Sequence, residues 1–129
     1  MIGIDSTVLI DILRGNISFA ELGEHSPICT SEIVVYEVFC GLYGSSYFSG
    51  KKIDQFQEIL DTFTHIYTLD RKSSVFAAQI FGRLSKEGQM VSHTDALIAG
   101  NLLANGCTKF LTKNIKDFKK IKGLDILQL

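Results

Sequence analysis

Along nearly the whole chain, short apolar segments of strand length alternate with longer segments of helical period, and few architectures accept that alternation. Residues 2–4 (IGI), 28–30 (ICT), 65–69 (HIYTL), 109–112 (KFLT) and 124–127 (LDIL) read as strands. Between them the spacing predicts helices over 6–14, 17–24, 32–42, 51–63, 70–88 and 95–105. Ser31 and Thr94 stand where N-caps belong, and Gly15, Gly88 and Gly106 where helices stop. The stretch GLYGSSYFSG at 41–50 is the best loop. Strands and helices in this order predict the α/β class, with a mainly parallel sheet covered on both faces. A length of 129 residues suits one domain, 1–129.

Composition removes several alternatives. An apolar fraction of 46% with a single Pro argues against disorder. The longest charge-free runs, 38–50 and 96–108, are shorter than the roughly 20 apolar residues of a membrane span. The opening MIGIDSTVLIDILRG lacks a leading basic region and is broken by Asp5 and Asp11, so it reads as a poor signal peptide. Cys29, Cys40 and Cys107 are odd in number and far apart in sequence, which disfavours a disulfide framework or a zinc site. Buried reduced thiols in a cytoplasmic protein are the expectation.

The acids carry more information. In an open parallel sheet, chemistry collects where the strands end at their carboxyl edge. Asp5 follows the first strand. Asn114 and Asp117 follow the 109–112 strand in T-K-N-I-K-D-F, and Asp95 opens the helix that leads into that strand. Glu37 lies mid-helix with Ile33, Val34, Cys40 and Gly41 at i±3 and i±4, a face too apolar and small for a solvent-facing acid.

Each acid has an ordinary explanation when taken alone. Asp95 can complement a helix dipole, worth about 0.3–1 kcal/mol. Asp5 can cap a helix, and Asp117 can be a turn residue. Taken together, the acids would raise one another's pKa, and no Arg or Lys lies near Asp5, Glu37 or Asp95 at helix or strand spacing. A divalent cation is the remaining neutraliser, and an all-oxygen ligand set favours Mg²⁺ or Mn²⁺ over zinc.

Four blocks then resemble a known family: D-S-T-V-L-I-D-I-L-R-G at 5–15, Y-E-V-F-C-G-L at 36–42, D-A-L-I-A-G at 95–100 and T-K-N-I-K-D-F at 112–118. In order and spacing they resemble the PIN-domain ribonucleases, most of all the VapC toxins of prokaryotic toxin–antitoxin pairs. The resemblance implies a three-layer α/β/α sandwich and Mg²⁺- or Mn²⁺-dependent hydrolysis of RNA phosphodiester bonds. It matches Asp5, Glu37, Asp95 and Asp117 to the family's four acidic positions, as catalytic and metal-binding residues. Asp5 and Asp95 are the expected direct ligands, while Glu37 and Asp117 are ligands or water-orienting groups. Thr112 falls where the family often has a hydroxyl that orients water, and Asn114 where some relatives carry another acid. The resemblance also implies a homodimer and a small antitoxin partner.

Charge distribution suits an RNA substrate. Residues 109–122 hold six Lys and one Asp, a local charge of +5 against −6 for the remainder. Lys113, Lys116, Lys119 and Lys120 are the expected backbone contacts beside Asp117. Tyr43, Tyr47 and Phe48, followed by Lys51 and Lys52, are candidates for stacking unpaired bases. Val35, Phe39 and Leu42 form a second apolar face on the 32–42 helix, which suggests burial against another chain. The competing class is a catalytically silent PIN-like RNA-binding or scaffold module, against which four intact acids argue. An aspartyl-nucleophile phosphatase would want a second Asp close after Asp5, where Ser6 and Thr7 stand instead.

Overall fold

Five short apolar segments pair side by side in the computed structural model, which describes residues 1–24, 26–45 and 50–128. In chain order the elements are β1 (Ile2–Ile4), α1 (Ser6–Leu13), α2 (Phe19–Gly23), β2 (Ile28–Ser31), α3 (Glu32–Gly44) and α4 (Gly50–Leu60). They continue with β3 (His65–Tyr67), α5 (Arg71–Lys86), α6 (His93–Ala104), β4 (Lys109–Leu111), α7 (Ile115–Phe118) and β5 (Asp125–Leu127). The sheet order is β3-β2-β1-β4-β5 and every neighbouring pair is parallel. Helices flank it in an α/β/α sandwich. Among the described residues, no helix is long and apolar enough to cross a membrane.

Local chemistry accounts for most of the boundaries. Asp5, Ser31 and Asp70 cap α1, α3 and α5 by accepting from Val8 N, Ile33 N and Ser73 N. Gly15, at φ +81°, turns the chain out of α1 in the left-handed region that suits glycine. The cap of α6 is Ser92, not Thr94: its hydroxyl accepts from Asp95 N at 3.0 Å, so the helix begins two residues earlier than the apolar pattern suggests. The strand expected to reach Leu69 stops at Tyr67, because the Thr68 carbonyl accepts from Asn101 Nδ2 instead of a strand neighbour. Helix α3 runs on to Gly44, into the expected loop; residues 46–49, with Tyr47 and Phe48, lie outside the described residues.

Two packing expectations need correction. Val35 is buried and Phe39 packs edge-on against Phe56 of α4 at 4.9 Å, so the same chain covers that face of α3. Tyr36 and Tyr43 are the large apolar α3 side chains left outside. Far apart in sequence, Cys29 and Cys107 meet with sulfurs 3.3 Å apart, while Cys40 is exposed rather than buried. Gly3 lies between them, pairing with Cys29 in the sheet; a side chain there would crowd the Cys107 sulfur.

The core centres on Ile4, Leu9, Phe56, Phe110, Phe118 and Leu102. Its closest helix contact joins α5 to α6, where a Cβ on Gly100 would stand 2.5 Å from Ala77 N and 2.7 Å from Ala77 Cα. Helix propensity alone favours alanine at position 100 by roughly 1 kcal/mol. The overlap with backbone should win, so Gly100→Ala should lower unfolding free energy by about 1–3 kcal/mol in urea titration. A more stable variant would mean the helices can part without cost.

Candidate active site

The chain runs β1, β2, β3 outward on one side and then returns to place β4 and β5 on the other, so its direction reverses between β1 and β4. That reversal opens a crevice at the carboxyl ends of these two strands, where open α/β sheets hold their ligands. The register pairs Ile4 with Leu111, which sets the next residues, Asp5 and Thr112, side by side at its mouth.

Asp5 is 3% exposed and bonded on both oxygens. Oδ1 accepts from Thr7 Oγ1 at 2.6 Å and from Val8 N at 3.3 Å, and Oδ2 accepts from Thr112 Oγ1 at 2.5 Å. Burial nevertheless outweighs these bonds and raises its pKa. Thr112 in turn accepts from Asn114 N at 2.9 Å, so its hydroxyl proton is directed at Asp5 and its oxygen holds the turn into α7.

Glu37, on the second turn of α3, is half-buried. Burial raises its pKa, a hydrogen bond from the Ser6 side chain lowers it, and the charges of Asp95 and Asp5 raise it further. Asp95 sits in the first turn of α6. Burial again leads, the bond with Ser92 opposes it, and Asp117 and Asp5 add to the rise. The charges therefore link in pairs across the crevice: Asp5 and Asp95 act on Glu37, and Asp5 and Asp117 act on Asp95.

Among the described residues, no Lys or Arg pairs with the three whose pKa values are raised: the Lys–carboxylate pairs there are Lys113 with Asp11 at 2.5 Å and Lys120 with Asp117 at 3.6 Å. Among the described residues, no three His, Cys, Asp or Glu side chains are gathered tightly enough to hold an ion as they stand. The donor set, oxygen throughout and with an uncompensated negative charge, fits Mg²⁺ or Mn²⁺.

Other candidates separate clearly. Lys116 and Lys119 are exposed beside Asp117, whereas Lys109 begins β4 at the opposite edge of the sheet. Lys113 is engaged by Asp11, and Lys120 also donates to the Met90 carbonyl at 3.0 Å. Lys52 donates to the Leu13 carbonyl at the end of α1, and Tyr43 stacks on Phe39, so both have structural roles. His93 opens α6 with its ring stacked 4.2 Å from that of Phe81.

Four contributors were missed in the sequence. Ser6 supports Glu37, Thr7 supports Asp5, and Ser92 holds the start of α6, where S-x-x-D is a recognisable capping signal. Asn101 is fully buried and ties three elements together. It accepts from Ser31 Oγ at 2.5 Å and donates to Ser73 Oγ and the Thr68 carbonyl. Nothing in its local pattern of neighbours announces that role.

Comparison with known proteins adds a further finding. The family model described as PIN domain matches residues 2–124. Ribonuclease VapC1 of Rickettsia felis is 29% identical over 126 residues, 96% of this chain and 92% of its own length. Ribonuclease VapC3 of Methanocaldococcus jannaschii is 33% identical over 97 residues, 74% of this chain and 92% of that protein. The crystal structure of VapBC2 from Rickettsia felis, bound to a promoter DNA fragment, matches with a TM-score of 0.86 at 21% identity, covering 100% of this chain and 99% of that one. DNA-bound VapBC from Salmonella typhimurium matches at 0.82 with 20% identity, over 98% of this chain and 96% of that one. At such identities the structural likeness speaks to the fold.

Raised native pKa values have a consequence for stability. As pH falls, the folded protein takes up protons on Asp5, Glu37 and Asp95 before the unfolded chain does. Their contribution to stability is complete below about pH 4 and is lost as pH rises through the native values. Glu37→Gln removes one of these charges and keeps an acceptor for Ser6. In EDTA near neutral pH the variant should melt above the wild type, and the advantage should vanish toward about pH 4. A lower melting temperature at neutral pH would show that Glu37 is held by favourable contacts, not tolerated against repulsion.

Proposed function

The chain belongs to the PIN-domain family, and from that premise we propose that it is an endoribonuclease that hydrolyses RNA phosphodiester bonds at a Mg²⁺ or Mn²⁺ site. The observation that carries the reading is that Asp5, Glu37, Asp95 and Asp117 act on one another in pairs around the β1–β4 reversal, with no Lys or Arg paired to the first three among the described residues. Residues 1–129 act as one nuclease domain in this reading, in the cytoplasm.

Asp5 and Asp95, fixed by Thr112, Thr7 and Ser92, would hold the cation directly. A divalent cation there would lower the pKa of a water and stabilise negative charge growing on the phosphate. Glu37, whose raised pKa favours holding a proton, and Asp117, paired with Lys120, would orient water or complete the ligand set. Thr112 orients Asp5, and Asn114 fixes the turn that presents Asp117. Lys116 and Lys119 guide the RNA backbone, with Lys113 and Lys120 contributing field rather than free donors.

The relatives named as VapC ribonucleases, and the VapBC complexes that share the fold, support a role as the toxin of a toxin–antitoxin pair. A cleft of about 360 Å³ between α1, α3 and α4 offers a place for a small antitoxin. Its floor is Ile10, Leu13, Val38 and Leu42, and Arg14 and Lys52 form a basic rim suited to an amphipathic, acidic segment. The homodimer is part of the same proposal: on α5 the half-exposed Val75 lines an open groove with Ala78, Gln79 and Gly82, a surface that a second copy would cover.

Purified protein should cleave a structured RNA with Mn²⁺ or Mg²⁺ and stop when EDTA is added. Asp5→Asn and Asp95→Asn should each lower kcat at least about a hundredfold without unfolding the chain. Cleavage that persists in EDTA, or full activity in Asp5→Asn, would rule the mechanism out. RNA binding without cleavage under every metal would favour the silent scaffold module.

A further inference from the structure

Asp11 is a buried carboxylate outside the acid cluster, two turns along α1 from Asp5. Its side chain is 10% exposed, and it is held by Lys113 Nζ at 2.5 Å, which together with the Asn16 side chain keeps its pKa below the ordinary carboxylate range. Lys113 is not on a neighbouring turn. It comes from the segment after β4, one residue beyond Thr112 and one before Asn114.

The same residue makes a second bond to α1 through its backbone. Lys113 N donates to Thr7 Oγ1 at 3.0 Å, and that hydroxyl donates to Asp5 Oδ1. Thr112 Oγ1 reaches the other oxygen of Asp5. A short piece of chain, 112–114, is thus fixed to α1 at three points: Thr112 on Asp5, the Lys113 amide on Thr7, and the Lys113 ammonium on Asp11. Asn114 N bonded to Thr112 carries that constraint into α7 and Asp117.

From this arrangement we infer that Asp11 and Lys113 are positioning residues: their ion pair latches the 112–114 segment onto α1 and so sets the Asp5 carboxylate and the entry to Asp117. The inference rests on the proposed nuclease reading for its effect on catalysis, but the latch itself is a property of the metal-free chain. It assigns Lys113 a role different from a phosphate contact. The two roles separate on one point: a phosphate contact does not need Asp11, and a latch does.

An ion pair with one end buried is suited to this work. When the Lys113–Asp11 pair opens, the Asp11 charge is left largely desolvated and unpaired. Exposed pairs such as Lys120–Asp117 lack that penalty.

The test uses the full chain with Asp11→Asn, Lys113→Met, the double variant and Lys113→Arg. In EDTA, hydrogen exchange at the Lys113 and Asn114 amides should quicken on the order of tenfold in either single variant, with no further gain in the double. Mn²⁺ titrated by calorimetry should bind more weakly in all three. With the structured RNA above, kcat should fall while KM stays near the wild-type value. Lys113→Arg should restore all these readings. The double variant leaves no unpaired buried charge, and so separates loss of the latch from a folding defect.

Silence in Asp11→Asn, together with a raised KM and a flatter salt dependence in Lys113→Met, would overturn the inference and make Lys113 a phosphate contact. Additive effects in the double variant, or wild-type exchange in it, would overturn it as well. If the wild type cleaves no RNA with Mn²⁺, the nuclease reading fails, and amide exchange in EDTA still decides the latch.

Discussion

Burial of the Asp5 charge is the constraint to which the rest of the site answers. A carboxylate with 3% exposure must be hydrogen-bonded, and Asp5 draws its donors from two places at once, Thr7 and Val8 on α1 and Thr112 after β4. The β1–β4 register brings Thr112 within reach, so the sheet pairing and the state of the acid are one problem. Burial still prevails over these bonds, and the charge is left wanting a cation.

The second acid group depends on how firmly α6 is held. Its body is nearly all buried, with Gly100 against the backbone of Ala77 and Asn101 bonded to Ser31, Ser73 and Thr68. Such a helix can present Asp95 from its first turn with little freedom, and Ser92 fixes that turn. Glu37 approaches from α3, which the same Asn101–Ser31 bond ties to α6 at its cap. Like charges are thereby kept near one another by packing that owes nothing to the charges themselves. Sites of this kind sacrifice some stability for function, since the repulsion persists until a ligand relieves it.

Much of the architecture was legible before the structure, for physical reasons. Strand-length apolar segments separated by helical ones leave a parallel sheet as the main way to bury all of them, and the five strands fall within a few residues of their expected places. Asp5, Asp95 and Asp117 could be placed near the sheet edge because each adjoins the start or end of an element. Glu37 was visible by its unsuitable face. What failed were judgements of which surface covers which: Val35 and Phe39 were assigned to another chain, although Val35 is buried within this one and Phe56 of α4 packs on Phe39. The Cys29–Cys107 contact escaped for the same reason, since a separation of 78 residues hides a neighbourhood that Gly3 makes possible.

The sequence by itself determined the order of the elements, the class of sheet and the identity of the acids, because periodicity, caps and residue chemistry are local properties. Only the tertiary structure decided which donors each acid has and which lysines are free. Lys113 and Lys116 look alike in T-K-N-I-K-D-F, yet one is paired with Asp11 and the other is exposed. The difference arises from where α1 lies relative to β4. That is set by the packing of the whole core, and no spacing along the chain encodes it.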